Sequence, residues 1–341
     1  TELSGDIAEP LTVRNASVEL QGTLTLGTMD VGGSMVRHEG AVTLGELALS
    51  GQSTWINNGT LTIHDGYTVQ NSTLINNGDF HPLSSDLVVD ECEYVINNTQ
   101  TWTTVQVING GRIVHDLASG TNVNRMVLNA ESVTIDETSM IDVSGKGCVD
   151  SGLGNYVGGS HGGRGGDYGT NPWRPCFGTF GEPADYGGGS KYSCGGGIVK
   201  IVAGTLRVDG AIVADGVMTD ASAGGSAGGS IWLDVGRLEG DGQIRANGAS
   251  TDWTGGGGGG RVAIYYDEVV DFDLAGQVWA QGGAHGWGEN VEHGGAGTVY
   301  LKDKAQALGV LVIHNGTTGS NAAATELSGD IAEPLTVRNA S

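Results

Sequence analysis

The stretch WINNGTLTIHDGYTVQNSTLINNGDF, residues 55–80, contains one corner twice: Trp55-Ile-Asn-Asn-Gly59 returns as Leu74-Ile-Asn-Asn-Gly78, a step of 19. Between them, Leu61 and Ile63 alternate with Thr60 and Thr62, the period of a half-buried strand. Ile and Val suit a narrow apolar core, while Asn and Gly tolerate the left-handed backbone of a sharp corner. A unit of about 20 residues that repeats strand and corner is the pattern of a solenoid, whose turns bury their apolar faces against each other.

The beat extends outward in both directions. Val95-Ile-Asn-Asn98 continues the series at a step of 21 from Leu74, and Val107-Ile-Asn-Gly110 at a further 12. Upstream, LTVRNASVEL (11–20), GTLTLGTMDV (22–31) and AVTLGELAL (41–49) alternate in the same way, and nothing in residues 1–130 has a 3.6-residue period. Stacked Asn side chains are expected to hydrogen-bond from coil to coil. The competing β-sandwich would need two-residue hairpin turns, whereas these turns recur inside a longer unit. Residues 1–130 are therefore expected to form short-strand solenoid coils.

Residues 131–324 change character. Between 143 and 197 the strand rhythm stops in a glycine-rich insertion that carries Cys148, Cys176 and Cys194 and seven aromatics. Its aromatics argue for an ordered, packed excursion, with a candidate disulfide between two of those three cysteines. Coils then resume as IVKIVAGTLRVDGAIVADG (198–216), SIWLDVGRLEGDGQIRANG (230–248) and RVAIYYDEVVDFDLAGQVWAQGG (261–283), each followed by a glycine-rich excursion expected to lie flat against the coil. On these residues the chain resembles glycine-rich β-helix repeats of very large secreted and cell-surface proteins of bacteria and archaea. The resemblance runs from about Val133 to Asn315. It implies a right-handed parallel β-helix and a structural or adhesive role, and carries over no catalytic motif. Cys148 departs from it, since an aromatic is more usual there.

Composition narrows the function. A net charge of −23 excludes the basic footprint of a nucleic-acid binder. No run of 18 apolar residues offers a membrane span. The 62 glycines lack the three-residue collagen register, and 38% hydrophobic residues argue against disorder. No signal peptide is read at Thr1, which fits a mature or internal segment. Sequons at Asn15, Asn58, Asn71, Asn97 and Asn315, with the sparse cysteines, point to an extracellular or cell-surface setting.

Few residues suggest chemistry. Asp267, Glu268, Asp271 and Asp273 are the best carboxylate cluster and a weak calcium candidate; Asp271 and Asp273 share a strand face if the strand is regular. No basic residue lies beside them in sequence, so a proton acceptor for polysaccharide cleavage is missing and no enzyme is expected. His285 and His293 lack a third metal ligand. Gly162 to Asp167 resembles one copy of a calcium-binding nonapeptide, and one copy makes no site. Trp253, Trp279 and Trp287 could stack on sugars of a polysaccharide partner, or cover glycine-thin walls and the contacts between neighbouring filaments. No cofactor is expected apart from the calcium candidate.

The ends supply the strongest functional signal. Residues 1–17 (TELSGDIAEPLTVRNAS) return letter for letter as residues 325–341, an offset of 324, including surface types such as Glu2, Asp6 and Arg14. Either the chain is a window on a tandem array, or a subunit carries twin ends. Both give an open head-to-tail polymer of the chain with itself. The expected joint comprises Leu3, Ile7, Leu11, Val13 and their copies Leu327, Ile331, Leu335 and Val337. The expected protein is a structural repeat unit of an extracellular filament. The alternative is a carbohydrate-binding adhesin or a β-helix polysaccharide-cleaving enzyme.

Overall fold

A computed structural model describes residues 2–3, 7, 9–82, 85–119, 123–147, 156–167, 173–220, 223–286, 291–316, 322–327 and 331–338. Among them there is no helix. The chain is all-β and its strands pair almost entirely in parallel. It divides into two compact units: residues 1–114 with 127–141, and residues 115–126 with 142–341.

In the first unit, short strands stack in sequence order. Ser17–Leu20, Met35–His38, Thr54–Asn57, Thr73–Asn76, Glu93–Ile96 and Arg112–Val114 pair each with the next. The register partners Ser17, Met35, Thr54, Thr73, Glu93 and Arg112 advance in steps of 18, 19, 19, 20 and 19. A nearly constant step keeps identical faces in line, because side chains alternate across a strand. Val36, Trp55, Leu74, Tyr94 and Ile113 thus form one buried row, none more than 1% exposed. A second parallel sheet, Leu11–Arg14, Thr23–Gly32, Ala41–Ser50, Thr60–Val69 and Asp79–Pro82, alternates with this row along the chain.

The corners carry polar ladders. The Asn57 amide donates to Asn76 Oδ1 at 2.5 Å, and Asn77 donates to Asn58 Oδ1 at 2.9 Å. Ser34 and Ser53 hydroxyls accept from the backbone one coil earlier, at Ala16 and Ser34, and Ser72 accepts from Ser53. Such bonds satisfy buried polar groups that would otherwise cost about 1–3 kcal/mol each.

The second unit has two parallel sets. Ile198–Val208, Ser230–Glu239, Arg261–Val270 and Thr298–Asp303 form one; Ala211–Val213, Gln243–Arg245 and Val278–Trp279 form the other. Val310–His314 then joins Thr298–Asp303 in the one antiparallel pairing between described strands, and Leu335–Arg338 pairs parallel with Val310–His314.

The glycine-rich excursions do not lie singly against the strands; they bond to one another. Gly255 and Gly258 donate to the carbonyls of Tyr156 and Gly159, Gly256 and Gly259 to Glu292 and Gly295, and Gly257 and Gly260 to Ala249 and Ala246. The donor direction returns every third residue. That is the rotation of an extended helix with three residues per turn, neither the two of a strand nor the 3.6 of an α-helix. Carbonyls of the same run accept from Gly225 and Gly228 and from Gly166 and Gly163. Gly255 to Gly260 are all buried in this bundle. Chains approach so closely that a Cβ on Gly258 would lie 2.0 Å from the Gly163 carbonyl oxygen. This is the physical demand behind the glycine excess.

Two substitutions test these interiors. Trp55→Ala should lower the stability of the first unit by about 3–5 kcal/mol in urea unfolding followed by circular dichroism. Gly258→Ala should destabilise the second unit by at least the ~1–3 kcal/mol of an overpacked core. Gly181→Ala, whose Cβ would meet nothing nearer than the Tyr265 hydroxyl at 3.4 Å, should stay within about 0.5 kcal/mol of the parent.

Candidate functional site

The core of the duplicated segment takes the same local form in both copies and different neighbours. Its Leu-Thr-Val-Arg core is a strand at Leu11–Arg14 and again at Leu335–Arg338. Alternating apolar and polar residues with β-branched Thr and Val favour this conformation at either place. In the first copy it pairs with the strand that follows it, Leu11 opposite Met29 and Arg14 opposite Gly32. In the second copy it pairs with the strand that precedes it, Leu335 opposite Leu311 and Arg338 opposite His314. Each copy is the terminal strand of its sheet.

The flanking residues dock accordingly. Leu3 stands in register with Leu20, and Ile7 bridges to Leu26, donating to Thr25 and accepting from Gly27. In the second copy Leu327 and Ile331 pack on Ala263, Tyr300 and Leu311, while the Thr325 hydroxyl donates to Ala296 and Glu326 accepts from the Cys176 amide. Val13 is 6% exposed, whereas Leu335 and Val337 are 50% and 54% exposed. The docking partners Met29 and Val31 were not singled out in the sequence; their only signal was alternation shared with every other strand.

The calcium candidate is dispersed. The strand ends at Val270, and Asp271 adopts φ 55°, so Asp271 and Asp273 do not continue a regular strand face. Asp267 lies 3.5 Å from Lys304, Glu268 lies 2.9 Å from Arg237, and Asp273 caps the Ala275 amide. Folding brings cations that are remote in sequence to carboxylates that looked unaccompanied. No group of three or more potential metal ligands occurs among the described residues. His285 and His293 stack with ring centroids 4.2 Å apart, and the Gly162 to Asp167 stretch joins the glycine bundle, Arg164 pairing with Glu292 at 2.8 Å.

The cysteine and sequon candidates also separate. Cys176 carries a free thiol that burial pushes upward in pKa, and Cys92 is likewise free and pushed up to about 11. Cys148, the third residue of the candidate disulfide set with Cys176 and Cys194, lies outside the described residues, and Cys194 is half-buried. Asn15 and Asn71 are exposed in left-handed turns. Asn58 and Asn97 are half-buried and bonded through Asn77. Asn315 is 1% exposed, its Oδ1 accepts from Gly282, and its amide donates to Gly294. Trp253 is exposed, Trp279 half-buried, and Trp287 lies outside the described residues.

Two histidines hold the glycine-rich interior. His115 Nε2 accepts from the Ile198 amide at 3.1 Å while Nδ1 bonds the Asp116 carbonyl, which defines a neutral ring. His161 Nδ1 bonds the Gly228 carbonyl at 2.8 Å. Burial lowers His115 to about 4 and His161 to about 3.

No family model matches the chain, and neither does any curated protein or solved structure.

The two histidines make stability depend on pH. Their folded pKa values lie below the unfolded value of about 6.5, so the unfolded chain binds more protons as pH falls. Their contribution to stability is full above about pH 6.5 and is lost progressively as pH falls towards 4 and then 3. Urea midpoints at pH 7.5 and pH 5 should differ less for His115→Gln than for the parent; an equal slope would refute the assignment.

Proposed function

We propose that the chain is a structural repeat unit of an extracellular filament, wound as a right-handed parallel β-solenoid and joined head to tail through the duplicated segment. The observation that carries this reading is the docking of one sequence against opposite neighbours: Leu11–Arg14 on the strand after it, Leu335–Arg338 on the strand before it. A head-to-tail link is heterologous and stays open unless a rotation closes it. Terminal strands with unpaired edges are a liability in a monomer and the contact surface in a polymer. The winding is supported by parallel strands whose register partners return at steps of 18 to 20 in the first unit, and the handedness by the resemblance to glycine-rich β-helix repeats. The extracellular setting is supported by that resemblance and by the exposed sequon residues Asn15 and Asn71. In this reading the protein has no enzymatic role and needs no cofactor.

One observation favours the second reading, a carbohydrate-binding adhesin. A cleft in the second unit is lined by Phe180, Tyr265 and Tyr300 together with Glu182, Glu326 and Glu333. Aromatic faces and carboxylates are the groups that stack on sugar rings and accept from hydroxyls.

With about 20–30 residues per coil and a rise of about 4.8 Å, a period of 324 spans roughly 50–75 Å. Electron microscopy of the purified protein should show long filaments with an axial repeat in that range. Discrete particles at all concentrations would defeat the filament reading. On denaturing gels a band near 34.8 kDa identifies separate subunits, and material that does not enter the gel identifies a continuous array.

A further inference from the structure

We propose that a single Leu-Thr-Val-Arg strand is shared at each joint: Leu335–Arg338 of one copy occupies the place of Leu11–Arg14 against Thr23–Gly32 of a second copy of this chain. This rests on the head-to-tail reading and adds to it the partner surface and its register.

The backbone allows one strand to serve both neighbours. In the tail copy, the Pro334 and Arg338 carbonyls accept from the Leu311 and Asn315 amides at 3.0 and 3.3 Å. In the head copy, the Asn15 amide donates to Gly32 at 3.2 Å, and Ile7 donates to Thr25 at 2.9 Å. Successive residues of a strand turn their backbone groups to opposite sides. With the offset of 324, positions 10 and 14 bond towards the preceding strand, and positions 7 and 15 towards the following one. The two neighbours never claim the same donor or acceptor.

The side chains agree. Leu335 and Val337 lie in register with Leu311 and Ile313, which are 0% and 4% exposed. Their counterparts Leu11 and Val13 lie in register with Met29 and Val31, both 0% exposed. The shared strand therefore completes two apolar rows, Leu311–Leu335–Met29 and Ile313–Val337–Val31, the last member of each from the second copy. Leu335 and Val337, now half exposed, become covered as Val13 is. On the opposite face Arg14 pairs with Asp30 at 2.5 Å, and Arg338 inherits that partner. In a tandem array the strand occurs once per joint. Between separate chains, the receiving copy releases residues 1–17, an exchange of identical elements.

The test is cysteine cross-linking between two singly substituted preparations of the full chain, one Val31→Cys and one Val337→Cys, oxidised together and mapped by mass spectrometry. The expected product is a 31–337 heterodimer, formed at least about fivefold more than the product of Met29→Cys with Val337→Cys, because one register step of two residues is about 6.6 Å. Deleting residues 1–17 of the Val31→Cys chain should raise the yield. If Val31→Cys does not fold, Asp30→Cys with Thr336→Cys reads the same register on the solvent face. Filaments whose cross-links fall in another register, or that form no cross-link, overturn the shared strand and leave the head-to-tail reading standing. Absence of any association by light scattering overturns both.

Discussion

A strand in a parallel sheet has two hydrogen-bonding edges, and the rest of this structure depends on how each edge is met. Within the first unit each coil supplies the edge partner for the next. The step of 18 to 20 holds from Ser17 to Arg112 because a slip of one position would turn every apolar side chain outward. Pairing and core formation are thus one event: the row Val36, Trp55, Leu74, Tyr94 and Ile113 exists only while the register holds. Among the described residues, Leu11–Arg14 and Leu335–Arg338 are each the last strand of a sheet, and these two terminal strands have the same sequence.

The second unit meets the same constraint by two means. Its strands stack as in the first unit, but between them the chain leaves the sheet and runs in extended glycine segments bonded in three directions. There the interior is filled by main chain instead of side chains. Hydrogen bonds replace hydrophobic contact as the principal attraction, and the absence of Cβ atoms is what permits the spacing. His115 and His161 belong to this interior, each held neutral with a ring nitrogen bonded to backbone. Interiors built this way tolerate volume changes poorly, because a carbonyl oxygen cannot rotate out of the way as a side chain can.

Several charged groups on the surface form short pairs. Arg237 bridges Glu239 and Glu268, and Lys304 reaches Asp234 and Asp267. Water and salt screen exposed pairs of this kind, so they add little to stability. Of the carboxylates that looked like a metal cluster along the chain, Asp267 and Glu268 pair with separate cations and Asp273 caps a backbone amide.

Much of the fold was legible in the residues themselves. The Ile-Asn-Asn-Gly corners, the two-residue alternation and the repeat step announced parallel stacking in the first unit, because those signals are local and recur. The duplication was legible for the same reason: the identity of residues 1–17 with residues 325–341 needs no coordinates. What only the tertiary structure decided are relations between residues far apart in sequence. Spacing could not show that Gly255 to Gly260 bond to segments near Gly159, Ala249 and Gly295, since glycine carries no periodic side-chain signal. Nor could it place Arg237 beside Glu268, bury Asn315, or pair the two copies of Leu-Thr-Val-Arg with different strands. Sequence specifies which groups need partners; the path of the chain in space decides which partners they find.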